Sequence, residues 1–214
     1  MYARNYGKAS PFWSIFGSSF CEEFSWKVIR IVHSMADLVL VTSPQLKEEF
    51  EANGINRVAV WRKGIDTVRF SPTFKTQAMR DQLGGGPAPL PGAQPESPLM
   101  IYVGRLAVEK RLQDLLPVLV AHPTARLALV GTGPAKEELE EMFKEAGMGD
   151  RVTFTGQLSG DALSSAFASA DCFVMPSDSE TLGFVVLEAM ASGVPVVGAR
   201  AGGIPGLIQD GSFT

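Results

Sequence analysis

The chain has 214 residues, 45% hydrophobic and 20% charged, the balance of one or two folded domains with a sizeable core rather than a disordered chain. Nineteen Lys/Arg stand against 23 Asp/Glu for a formal net charge of −4, which argues against a general nucleic-acid binder. Two cysteines, Cys21 and Cys172, are too few for a disulfide framework or a zinc site and suit a reducing compartment, and no run reaches the roughly 20 apolar residues of a bilayer-spanning helix.

In chain order, the opening MYARNYGKASPFW lacks the apolar stretch and cleavage pattern of a secretory leader. Phe12, Trp13, Phe16 and Phe20 suit either core packing or contact with a membrane surface. Residues 20–36 read as a helix, 38–42 as a buried strand, 44–53 as a helix closed by Gly54, and 57–61 as a strand. These are two or three βα units, too few for a doubly wound sheet, so the front part is expected to be the tail of a larger domain. Residues 84–98 (GGGPAPLPGAQPESP) can hold neither a helix nor a central strand and read as a linker or surface insertion. Behind them, residues 99–103, 125–130, 152–154, 171–175 and 194–197 are short apolar runs bounded by Gly and Pro, the pattern of strands buried on both faces. Helical stretches alternate with them at 135–146, 162–170 and 182–192, and 109–122 reads as a helix that Pro117 kinks or restarts. This order predicts an α/β fold with a parallel, doubly wound sheet and right-handed crossovers.

In such a sheet, ligands bind beyond the carboxyl ends of the strands. Gly104-Arg105 follows the first rear strand, with Lys110 five residues on; Gly131-Thr132-Gly133-Pro134 follows the second and opens a helix. The segment from Pro176 to Gly183 (PSDSETLG) follows the fourth and opens another. Two cations, two helix N-termini and a carboxylate on one edge would hold a diphosphate. Each element alone is unspecific: GTG reads as a tight turn, and Arg105 or Lys110 as a solvated surface charge. Glu188 is the most informative residue. Its helix, LGFVVLEAMAS, is apolar on every side, and Phe184, Val185, Ala191 and Ser192, three and four positions away, offer it no cation. Either it is exposed on a narrow polar stripe, or a group outside the helix satisfies it, for which a ribose diol is suited. Glu180, at the loop–helix junction, could reach polar groups of a bound sugar or simply complement the helix dipole.

The Glu180/Glu188 pair in SETLGFVVLEAMASGVPVVGARAGGIP, with GRLAVEK and VTFTGQL, resembles the donor-binding half of the retaining GT-B glycosyltransferases of the glycosyltransferase 4 type. Within them it is most similar to the plant and cyanobacterial sulfolipid synthases, which transfer sulfoquinovose from UDP-sulfoquinovose to diacylglycerol. The resemblance implies a nearly complete C-terminal Rossmann-like donor domain over residues 99–214. Residues 1–83 would then be the tail of the N-terminal Rossmann-like acceptor domain, and 84–98 the linker or insertion. It implies that Arg105 and Lys110 bind the diphosphate and stabilise the leaving group, a fixed-charge form of catalysis. Glu180, with the backbone of Thr181, Leu182 and Gly183, would hold the donor sugar and distal phosphate. Glu188 would hold the ribose, Gln157-Leu158 would line the uracil pocket, and Gly104, Gly131 and Gly133 would let the backbone approach the nucleotide. The resemblance further implies no metal or other cofactor beyond the UDP-sugar substrate, a diacylglycerol or other lipid acceptor, a peripheral membrane encounter, and a chloroplast membrane surface.

Relative to that family's pattern the chain is expected to begin after the glycine-rich loop and the histidine-bearing strand, and to stop before the last strand and helices. His33 is then a helix-packing residue, His122 a helix-end residue, and Asp66 a turn former. The charge is uneven, ten Lys/Arg against seven Asp/Glu over residues 1–75 and nine against sixteen over 76–214, through ordinary scatter or because the front faces an anionic surface. Two rival functions remain: a nucleotide-binding module without activity, and an NAD-dependent oxidoreductase. The latter calls for GxGxxG after the first rear strand and an acid about 20 positions later, and GRLAVEK does not fit.

Overall fold

A computed structural model describes residues 18–61, 64–87, 96–177, 183–201 and 203–208. The chain divides into two compact units, Met1–Arg62 and Lys63–Thr214. That junction falls ahead of the composition break at residue 84, for a physical reason given below.

In the first unit, helix α1 (Ser18–Ser34) and helix α2 (Pro44–Ala52) accompany two parallel strands, β1 (Val39–Val41) and β2 (Val58–Val60), with Val39 opposite Val58 and Val41 opposite Val60. Pro44 opens α2 behind the Ser43 cap, whose hydroxyl accepts from the Leu46 N–H. Val39, Val41, Ile55 and Val58 form its core, and Trp26 and His33 both set their rings edge-on to Phe50, at 5.6 and 5.5 Å. His33 Nδ1 lies 2.8 Å from the Ile29 carbonyl oxygen, so it is the helix-packing residue expected. Phe12, Trp13 and Phe16 lie outside the described residues.

The second unit is built on a five-stranded parallel sheet of order β5-β4-β3-β6-β7: β3 (Leu99–Val103), β4 (Arg126–Val130), β5 (Val152–Gly156), β6 (Cys172–Met175) and β7 (Val196–Gly198). Every residue of β3 is buried, as a central strand covered on both faces requires. Its helices are α3 (Gln77–Gln82), α4 (Leu116–Ala121), α5 (Lys136–Glu145), α6 (Gly160–Ser169) and α7 (Phe184–Ala191). The strands expected from the sequence are all present. The helix expected over 109–122 is not continuous: Arg111 takes a left-handed conformation (φ 53°) between two short 3-10 turns, and the α-helix starts afresh at Leu116 with Pro117 in its first turn.

Residues 70–83 belong to this second core, which sets the junction where it is. Phe70 packs edge-on against Phe167 of α6 at 5.8 Å, and Ser169 exchanges hydrogen bonds with the Thr76 backbone. Arg80, 1% exposed, grips Asp171 with two bonds of 3.0 and 2.7 Å and also donates to the carbonyls of Ser169 and Gly86. Asp171 in turn accepts from the Leu99 N–H at the start of β3. This fully bonded charge pair ties α3 to the amino end of the sheet. Among the described residues, no helix is long and apolar enough to cross a membrane.

Candidate active site

The strand order places the chain's reversal between β3 and β6. The run β3, β4, β5 proceeds to one side, and β6 returns to the other. The carboxyl ends of the strands at such a reversal diverge and leave a crevice. An open cleft of about 460 Å³ lies on the β3 side of that reversal, at the carboxyl ends of β3, β4 and β5, lined by Val103, Gly104, Arg105, Val130, Gly131, Thr132, Gly133, Gln157 and Leu158.

The cleft floor is two strand-to-loop turns laced to one another. The Gly104 N–H donates to the Val130 carbonyl at 2.9 Å, the Gly131 N–H to the Gly156 carbonyl at 2.8 Å, and the Leu106 N–H to the Thr132 carbonyl at 3.0 Å. Glycine is required at the tightest crossing. Gly131 has φ +141°, and a Cβ there would stand 2.9 Å from the Gly104 carbonyl carbon and closer still to its oxygen. Gly133 meets the backbone of Leu106 in the same way, 2.8 Å from its carbonyl carbon. These glycines therefore let loop approach loop.

Of the sequence-identified residues, Gly104, Arg105, Gly131, Gly133, Gln157 and Leu158 come together on this cleft. Arg105 is exposed at its mouth, with Nη1 4.0 Å from Glu109 Oε1, a contact too solvated to immobilise it. Lys110 ends the 3-10 turn Val108–Lys110, beyond the residues that line the cleft. Glu180, Thr181 and Leu182 lie outside the described residues. Gly183 caps α7 in the left-handed region (φ 62°), buried against Leu207 and Val186.

Glu188 is half-buried rather than enclosed on every side, because Met190 and the flank of α7 reach solvent. Burial pushes its carboxyl up from the ordinary value, and the Arg69 guanidinium opposes that rise. Arg69 is the cation that reading along the helix could not find. Asp66 is the turn former expected: its Oδ1 accepts from the N–H groups of Val68 and Arg69, each at 3.0 Å, and so fixes the Arg69 backbone. The Arg69 guanidinium reaches Gly160 at the N-terminus of α6, its Nη2 4.0 Å from where a Cβ on that glycine would stand. Thr132, named only as part of the Gly131–Pro134 turn, also lines the cleft, as do Val103 and Val130, for which position at a strand end was the available signal.

Residues 91–214 match the family described as "Glycosyl transferases group 1". The chain belongs to this family. A curated relative, the sulfoquinovosyl transferase of Arabidopsis thaliana, is 50% identical over 188 residues, covering 86% of this chain and 35% of its own. A GDP-mannose-dependent alpha-mannosyltransferase of Corynebacterium glutamicum is 36% identical over 187 residues, covering 87% of this chain and 42% of its own. The chain thus spans less than half the length of these relatives. Among solved structures, Anabaena HepE in complex with UDP and glucose superposes with a TM-score of 0.74 at 24% identity, over 88% of this chain and 52% of that one. The group 1 transferase fold is therefore the GT-B one, and the second unit is its Rossmann-like domain.

Proposed function

We propose that the chain carries the donor-binding unit of a retaining glycosyltransferase that moves sulfoquinovose from UDP-sulfoquinovose to diacylglycerol. The observation that carries this reading is the cleft at the ends of β3, β4 and β5, where two backbone turns locked by glycine contacts meet Arg105 and the Gln157-Leu158 turn. The choice of sugar rests on the 50% identity to the Arabidopsis relative.

In this reading the uracil lies on Gln157 and Leu158, the ribose hydroxyls donate to Glu188, and the diphosphate lies over the glycine turns beside Arg105, with Lys110 adding charge at longer range. Glu180 and the backbone of Thr181, Leu182 and Gly183 hold the sugar and distal phosphate. As the bond from the anomeric carbon to the phosphate oxygen breaks, negative charge grows on the diphosphate. Fixed cations and amide dipoles that need no reorganisation lower the barrier most at that moment. The acceptor hydroxyl attacks from the same face and its proton passes to the departing phosphate oxygen, which retains configuration. The lipid acceptor and the plant relative support a reaction at a chloroplast membrane surface.

A second reading is a UDP-sugar-binding module that does not turn over by itself, favoured by a cleft whose lining residues all belong to the second unit. Calorimetric titration with UDP and GDP, followed by incubation with UDP-sulfoquinovose and diacylglycerol, separates these cases. Preference for UDP with lipid product supports the transferase; UDP binding without product supports the module. Preference for GDP, the nucleotide of the mannosyltransferase relative, overturns the choice of donor.

A further inference from the structure

Strand β3 reads LMIYV, and its one polar side chain, Tyr102, is 1% exposed. A phenol at that depth requires a hydrogen-bond partner, or its desolvation opposes folding. The Tyr102 hydroxyl donates to the carbonyl oxygen of Arg105 at 3.0 Å, bridging from strand to loop. It lies directly under Gly104, 2.7 Å from where a Cβ on that residue would stand. The next peptide group is therefore held at both ends. Its carbonyl, on Arg105, accepts from Tyr102, and its N–H, on Leu106, donates to the Thr132 carbonyl at 3.0 Å.

We propose that Tyr102 is a positioning residue for the diphosphate: by turning the Arg105 carbonyl inward it fixes the Arg105 backbone and keeps the negative end of that peptide dipole off the face the anion meets. This rests on the donor-site reading above. A phenylalanine would fill the same core space but leave the Arg105 carbonyl without this donor, the peptide then held only by the Leu106–Thr132 bond.

The test compares UDP with uridine on the whole chain, because only UDP carries the diphosphate. In Tyr102→Phe, calorimetry should show UDP affinity falling about five- to tenfold, the worth of one hydrogen bond, while uridine affinity stays unchanged. Because Arg105→Ala keeps the main-chain carbonyl that Tyr102 holds, adding Tyr102→Phe to Arg105→Ala should still lower UDP affinity further and leave uridine affinity unchanged. Independently, hydrogen exchange at the Leu106 amide should quicken in Tyr102→Phe. Equal losses for UDP and uridine would reveal a general packing role and overturn the proposal. Unchanged UDP affinity in Tyr102→Phe beside a clear loss in Arg105→Ala would overturn it while leaving the donor site intact. If wild-type chain binds UDP no more tightly than uridine, or Arg105→Ala changes nothing, the donor-site reading itself fails.

Discussion

Gly131→Ala probes the laced turns at their tightest point. The residue sits at φ +141°, which an alanine adopts only under strain of about 1–3 kcal/mol. The added Cβ would also stand 2.9 Å from the Gly104 carbonyl carbon, against backbone that cannot rotate aside as a side chain could. Overpacking of this kind costs about 1–3 kcal/mol more, so the expected loss of unfolding free energy is about 2–6 kcal/mol. A domain of about 10 kcal/mol, the middle of the usual range, stays folded under that loss. The functional consequence is larger, because relief of the clash must move the Gly104–Arg105 turn. A displacement near 1 Å in a positioning element costs roughly 100-fold in the chemistry it serves. Gly147→Ala is the control: it has φ +72° but nothing within 4 Å of an added Cβ, so it meets the backbone strain alone, far from the cleft. Urea unfolding and UDP calorimetry on both variants decide the matter. Gly131→Ala should be the less stable of the two and should lose at least tenfold in UDP affinity, while Gly147→Ala binds as wild type. Equal stability losses with UDP affinity unchanged in both would refute the reasoning.

Arg80→Met leaves the largely covered Asp171 without its cation and should lower stability by about 3 kcal/mol; adding Asp171→Asn, which removes the stranded charge but keeps an acceptor for the Leu99 N–H, should restore part of it in the same unfolding assay. Glu188 has a folded-state pKa raised by burial, so its ionisation works against folding. The stability it contributes is complete below the unfolded pKa and is lost as pH rises through the folded one. Glu188→Gln should therefore be no less stable than wild type at neutral pH, yet bind UDP more weakly, a combination that unfolding and calorimetry report together. Ribose hydroxyls are accepted best by the ionised carboxylate, so wild-type UDP affinity should fall as pH drops through the Glu188 titration. Arg69→Ala removes the cation that opposes the rise and should move that fall to higher pH, with Arg69→Lys returning it.

The rear sheet was legible because its central strands β3, β4 and β6 are buried on both faces, and a run such as LMIYV ending at Gly104 leaves few alternatives. The cleft was legible in part for the same reason: Gly104, Arg105, Gly131 and Gly133 directly follow two of these strands and could be named from that position, whereas Gln157 and Leu158 came only from the family resemblance. What escaped was long-range or conformational. Arg111 adopts a left-handed conformation with neither glycine nor asparagine to announce it, so the sequence pointed to the restart at Pro117 but not to the earlier break at Arg111. The segment from Phe70 to Leu83 carries no composition shift, and its membership in the second unit depends on Phe167, Ser169 and Asp171, remote partners that no local pattern reveals. Arg69 escaped likewise, since its relation to Glu188 exists only after α6 and α7 have packed. Tyr102 looked like one more apolar-face residue of a strand; only the fold shows its hydroxyl under the Arg105 turn.

The most direct test is a crystal structure of this chain soaked with UDP. The diphosphate should lie on the Gly104–Arg105 and Gly131–Gly133 turns, with both ribose hydroxyls within hydrogen-bonding distance of the Glu188 carboxylate. A nucleotide bound elsewhere, or one whose ribose turns away from Glu188 toward solvent, would contradict the assignment of this cleft.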